Sequence, residues 1–188
     1  MRELAQRRQP SIRSVDWLKL LPPASRWILQ GGPAVRARAA PVFGVELSQT
    51  ACRAAIAGSR AALWLGPDEY LLIELAPGEP TDESQAAVAG ALEQALAGTP
   101  HALVDVSHRQ FALEVSGGHA AAILNAGCPL DLDPAEFPVG MCTRTVFAKA
   151  DVVLWRTRAD AFHVEVWRSF AGYVSGLLAE NAREFYPA

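Results

Sequence analysis

Ala61-Ala62-Leu63-Trp64-Leu65-Gly66-Pro67-Asp68-Glu69-Tyr70-Leu71-Leu72-Ile73-Glu74-Leu75 is the stretch on which the fold turns. Two apolar runs, Ala61–Leu65 and Tyr70–Leu75, flank Gly66-Pro67-Asp68-Glu69, four residues that favour turns. The spacing predicts two antiparallel strands joined by a tight turn, closed by the Pro77-Gly78 pair. Downstream, Thr81 is placed to cap a helix whose first turn carries Asp82 and Glu83 at the positive end of its dipole. Val88, Ala91, Leu92, Ala95 and Leu96 make its apolar face, and Gly98 and Pro100 stop it.

The same order recurs further along. Ala102–Val106 and Phe111–Val115 read as strands; in the second, Phe111, Leu113 and Val115 alternate with Gln110, Ala112 and Glu114. A short alanine-rich helix spans about 118–126, with Ile123 and Leu124 inward and Gly127 at its end. Three strands follow, through Thr145–Phe147, Val152–Arg156 and Phe162–Trp167. Phe162, Val164 and Val166 share one face, so His163 and Trp167 point to the other. A last helix is expected to bury Phe170, Tyr173, Val174, Leu177 and Leu178 as one stripe, prolonged by Phe185. Connections between neighbouring strands are too short for helical crossovers, which argues against a doubly wound parallel sheet. The fold class is therefore α+β: two related sub-units of antiparallel strands with packed helices, about 41–106 and 107–188.

Residues 1–40 have no steady period. Pro22-Pro23 and Gly31-Gly32-Pro33 punctuate them, while Trp17, Leu18, Leu20, Leu21, Trp27, Ile28 and Leu29 are too apolar for a plain linker. The expectation is an extended arm that lays these side chains on a partner or on its own domain.

Composition narrows the function. The chain has 188 residues, 51% of them hydrophobic, and a formal net charge of -3. Such a length buries roughly 70% of its unfolded surface. Mixed charge argues against nucleic acid, which demands a basic surface. The one basic concentration is Arg2, Arg7, Arg8 and Arg13. Polar residues interrupt any signal-like run after it, and no stretch approaches the ~20 apolar residues of a membrane span. The chain reads as cytoplasmic. Cys52, Cys128 and Cys142 are odd in number and widely spaced, so each is expected to be a small buried hydrophobe.

No constellation reads as a catalytic, cofactor-binding or metal site. Asp105, Ser107 and His108 have the types of a hydrolase triad but sit within four positions, without a nucleophile elbow; a backbone-satisfying role at a strand end fits them better. Ser116-Gly117-Gly118-His119 precedes a helix but lacks a phosphate-loop fingerprint. Asp131, Asp133 and Glu136 lack the regular oxygens and central glycine of a calcium loop, and read as loop caps. His101, His108, His119 and His163 show no metal-ligand spacing. The tryptophans exceed what one small core needs, which favours binding over turnover.

Four pieces together carry a resemblance: Leu65-Gly66-Pro67-Asp68-Glu69-Tyr70-Leu71-Leu72; Val104-Asp105-Val106-Ser107-His108-Arg109; Cys128-Pro129-Leu130-Asp131-Leu132 with Phe137-Pro138-Val139-Gly140; and Phe162-His163-Val164-Glu165-Val166-Trp167-Arg168-Ser169-Phe170. In order and spacing, from about residue 41 to 182, the chain resembles the gamma subunits of heterotetrameric sarcosine oxidases. The resemblance implies a fold similar to the folate-binding region of glycine-cleavage aminomethyltransferases. It implies a non-catalytic subunit of a complex that oxidises sarcosine to glycine with molecular oxygen, releasing hydrogen peroxide and, with tetrahydrofolate, methylenetetrahydrofolate. It also implies alpha, beta and delta partners, chiefly alpha, which hold FAD, FMN, NAD, the folate site and zinc, and no cofactor in this chain. Where the aminomethyltransferases carry glycines and paired acids, this chain reads Thr145-Val146-Phe147-Ala148-Lys149-Ala150-Asp151, keeping one acid. A freestanding folate-binding or aminomethyltransferase-like protein is the alternative, and a hydrolase using Ser107 and His108 a third.

Overall fold

The computed structural model describes residues 12, 14–75 and 81–186. The Pro77-Gly78 turn and the Arg2, Arg7, Arg8 and Arg13 cluster lie outside them. In chain order the strands are β1 (Leu18–Leu20), β2 (Ser25–Gln30), β3 (Ala54–Ala57), β4 (Arg60–Gly66), β5 (Glu69–Glu74), β6 (Ala102–Asp105), β7 (Gln110–Ser116), β8 (Cys142–Phe147), β9 (Ala150–Arg158) and β10 (Ala161–Trp167). The helices are α1 (Pro33–Phe43), α2 (Asp82–Leu96), α3 (Ala120–Asn125) and α4 (Ala171–Asn181). They fall into two compact units. One takes residues 22–107 and 140–143; the other takes the described residues of 12–21, 108–139 and 144–186.

The first unit holds a five-stranded sheet in the order β3-β4-β5-β2-β6. Its centre is the hairpin read from sequence. β4 and β5 pair antiparallel with Leu63 opposite Leu71 and Gly66 opposite Glu69, and the register shifts between Trp64 and Gly66. Pro67 and Asp68 make the connection, and Asp68 takes a left-handed φ of 59°, a conformation aspartate tolerates better than most residues. Thr81 caps α2 in a reciprocal box: Ser84 N donates to Thr81 Oγ1 at 3.1 Å, and Thr81 N donates to Ser84 Oγ at 3.2 Å. The buried face of α2 differs from the expected one at two positions: Gln85 is buried and Ala91 is exposed.

The expected arm is corrected between residues 22 and 40. Ser25–Gln30 is an interior strand of this sheet, paired antiparallel on one side with β5 and on the other with β6. Trp27 is 0% exposed and meets Phe43 of α1 edge-on at 6.3 Å. The residues that disguised the strand have specific uses. Pro22-Pro23 and Gly31-Gly32 bracket it, Pro33 opens α1, and buried Arg26 donates through Nη1 to Ala24 O at 2.9 Å. Proline suits a first helical turn because the amide it lacks has no intrahelical partner there.

The second unit holds a sheet in the order β1-β7-β10-β9-β8. β10 is its middle strand, running antiparallel to β7, with Val164 opposite Leu113, and to β9, with Val164 opposite Leu154. Both faces of β10 are covered. His163 and Glu165, on the face opposite Phe162, are buried and bonded to each other at 2.7 Å, so that face is closed where the alternation left it open. Behind the sheet, α4 buries Ala171, Val174 and Leu178. Phe170 does not join that stripe, because the chain makes a 3-10 turn over Arg168–Phe170 before α4 begins and the phase shifts there. Tyr173 misses it because it lies about 100° around α4 from Val174. Gly127 follows α3 where no side chain fits: a Cβ there would lie 2.6 Å from the Phe147 ring.

Candidate interaction surface

The turn that exposes Phe170 also gathers aromatic residues at the surface of the second unit. Trp167 at the end of β10 is 43% exposed, Phe170 38% and Tyr173 42%. Phe170 and Tyr173 meet edge-on at 6.3 Å. The Arg109 guanidinium lies 5.2 Å above the Trp167 ring, and Arg168 lies 5.2 Å from the Phe111 ring while its backbone amide donates to Arg109 O at 2.8 Å. Stacked guanidinium and indole keep both polar and apolar contacts available. Exposed tryptophan, tyrosine and arginine together are the composition of energetically dominant interface positions.

Four of the residues weighed for chemistry from sequence, Asp105, Ser107, Asp131 and Asp133, accept from backbone amides instead. Asp105 Oδ1 accepts from Ser107 N at 2.8 Å, and Ser107 Oγ accepts from Arg26 N at 2.9 Å, which fastens the strand end to β2. His108 is exposed and belongs to the other unit. Gly117 N donates to Asp160 O, and His119 stacks on Phe185 at 4.7 Å, so its ring completes an aromatic cluster with Trp17 and Tyr186. Asp131 Oδ1 accepts from Asp133 N, and Asp133 Oδ1 from Ala135 N, the self-capped turns of an acidic loop. His101 sits against Thr99 O at 2.7 Å and Glu93 at 3.0 Å; the Thr99 carbonyl first, then the Glu93 carboxylate, raise its pKa against the opposing effect of burial. Cys128 and Cys142 are buried, and Cys52 is half-buried. Among the described residues no three metal-ligating side chains stand together, and no helix is long and apolar enough to cross a membrane.

Sequence reading passed over Arg156. It is 3% exposed, and donates to the carbonyls of Leu132 at 3.1 Å, Phe137 at 2.8 Å and Ala159 at 3.2 Å, with its guanidinium 4.9 Å from the Phe162 ring. Nothing in the apolar alternation of β9 marks it. The signal lay in the loop it serves, whose carbonyls needed a donor.

Comparison with known proteins assigns the family. The model of the sarcosine oxidase gamma subunit family matches residues 30–184. The chain belongs to the sarcosine oxidase gamma subunit family. The Arthrobacter sp. sarcosine oxidase subunit gamma is 38% identical over 134 residues, 71% of this chain and 62% of that protein. The counterpart from Corynebacterium sp. (strain U-96) is 34% identical over 128 residues, 68% and 58% of the two. This gamma-family chain thus matches about three fifths of the length of these relatives. A chain of the heterotetrameric sarcosine oxidase from Corynebacterium sp. U-96, solved in complex with pyrrole 2-carboxylate, superposes with a TM-score of 0.80 and 30% identity over 99% of this chain and 94% of that one. The glycine cleavage aminomethyltransferase T of Bartonella henselae shares the fold alone, with a TM-score of 0.61 and 14% identity over 88% of this chain and 46% of its own. The expected α+β class and its likeness to the aminomethyltransferases both hold.

Proposed function

We propose that this chain is a non-catalytic gamma subunit of a heterotetrameric sarcosine oxidase, supporting an assembly whose chemistry resides in its partners. The observation that carries this is the match over 99% of the chain to a subunit of such a heterotetramer. In this reading the complex converts sarcosine to glycine with oxygen as acceptor, and yields hydrogen peroxide and, from tetrahydrofolate, methylenetetrahydrofolate. FAD, FMN, NAD, tetrahydrofolate and zinc belong to alpha, beta and delta chains, this subunit meets chiefly alpha, and the complex works in the cytoplasm without nucleic acid or membrane. Of the side chains weighed for chemistry, Asp105, Ser107, Asp131 and Asp133 accept from backbone amides, which supports a structural role. Trp167, Phe170, Tyr173 and Arg109 are the surface we assign to subunit contact.

Affinity purification of the tagged chain from its native cells tests the assignment. Stoichiometric recovery of large flavin-containing chains and a small zinc protein is the expected result. Recovery of the chain alone, under conditions that preserve complexes, overturns it and favours a freestanding folate-binding protein. In the capture, Trp167→Asp is expected to lower partner yield at least tenfold.

A further inference from the structure

Two of the three cysteines face one another across a short β-bridge inside the first unit. Arg53 and Met141 are antiparallel bridge partners; Ala54 N donates to Gly140 O, and Cys142 N donates to Cys52 O, each at 2.9 Å. Cys52 and Cys142 are thus the residues adjoining the bridge on its two strands, joined backbone to backbone by one of these bonds, with Cys52 in the turn that leads into it. A disulfide needs Cα atoms roughly 4.4–6.8 Å apart, a closeness that backbones sharing a hydrogen bond can meet. Their 89 intervening residues hid this proximity from the sequence.

We propose that Cys52 and Cys142 form a peroxide-responsive thiol pair that closes to a disulfide across the Arg53–Met141 bridge. The two cysteines are unequal, and the inequality assigns their roles. Cys52 is half-buried and holds a left-handed φ of 57°, a sparsely populated conformation for a residue with a side chain. Cys142 is fully buried and its thiol bonds to Trp64 O at 3.5 Å. Burial pushes that thiol up to about 12, with a smaller contribution from the nearby Cys52 sulfur. The accessible Cys52 is thus the first target and Cys142 the resolving group.

The electron count closes with one equivalent of hydrogen peroxide. The Cys52 thiolate attacks one peroxide oxygen, the O–O bond breaks, and hydroxide leaves, giving a sulfenic acid. The Cys142 sulfur then attacks the Cys52 sulfur, the S–O bond breaks, and a second hydroxide leaves as the S–S bond forms. With the two thiol protons, both hydroxides become water. Because Cys142 must give up a proton held by burial, the second step accelerates as pH rises.

The test uses the purified full chain, reduced, desalted and exposed to hydrogen peroxide, followed by peptide mapping without reductant. The expected product is one linked peptide joining Cys52 to Cys142, absent from Cys52→Ser and reversed by dithiothreitol. Cys142→Ser is expected to leave a Cys52 sulfenic acid that dimedone captures. If that variant fails to fold, the wild type and Cys52→Ser decide the matter. Accumulation of sulfinic acid on Cys52 with no linked peptide overturns the proposal, and so does a cross-link between Cys52 residues of two copies. The pair stands on geometry within this chain, so its closure in a chain that captures no partners would sink the subunit assignment alone.

Discussion

Trp27 and Trp167 make an instructive pair. Each belongs to an interior strand of its own sheet, one within β2 and one at the end of β10. One is wholly buried, while the other is 43% exposed. The flanking residues would have ranked them the other way. Trp27 lies among Ser25, Arg26 and Gln30 between proline and glycine pairs, whereas Trp167 closes the apolar run Phe162–Val166. Burial followed pairing at the residue itself: Trp27 stands between Leu72 and Asp105, whereas Trp167, the last residue before the 3-10 turn, is opposite Gln110 on one side and lies past the end of the β9 register on the other. Local hydrophobicity measures what a residue prefers, and pairing partners decide what it receives.

The largest expected effect breaks that contrast at its enclosed end. Trp27→Ala should cost about 3–5 kcal/mol in denaturant unfolding, since it empties a core position packed on Phe43. A loss below about 1 kcal/mol would return β2 to the status of an arm. By the same logic, deleting residues 1–32 removes an interior strand and should abolish folding, which circular dichroism would register. Gly127→Ala tests an enclosed site in the unit that carries Trp167. The added methyl must displace the Phe147 ring, at an expected cost of about 1–3 kcal/mol. Unchanged stability would mean that the ring moves freely. Trp167→Ala should change the stability of the chain by no more than about 1 kcal/mol, the scale of an exposed cation–π contact, while impairing partner capture. A large loss of stability there would erase the distinction between the two tryptophans.

The smallest effect is in pH. The folded-state pKa of His101 is raised, so its contribution to stability is fully present below the unfolded value of 6.5 and is lost as pH rises through the higher folded value. Urea midpoints from pH 5.5 upward should therefore fall slightly more in the wild type than in His101→Gln. Parallel curves would remove the Glu93 and Thr99 contacts from the account.

The parts of the fold that could be read from sequence were those with local signals. The β4–β5 hairpin, the Thr81 cap and the strands around β10 each announce themselves within a few residues. What escaped depended on distant chain. β2 was hidden because Arg26 and Ser25 are polar, and only their pairing with Ala24, Ser107 and the neighbouring strands makes them buried residues. The aromatic surface was half legible: an excess of tryptophan was visible, but the phase shift at Arg168–Phe170 that exposes Phe170 was not. The facing of Cys52 and Cys142 depends on a chain return that no sequence spacing encodes.

Arg156 has a further consequence, for which substitutions count as conservative. One buried guanidinium serves the carbonyls of Leu132 and Phe137 through Nη1 and that of Ala159 through Nε. It thereby ties a loop far back in the chain to the turn that follows β9. Lysine would keep the charge but offers a single point of donation where the planar fork reaches several acceptors at once. The side chain works as a staple, and its shape matters more than its sign.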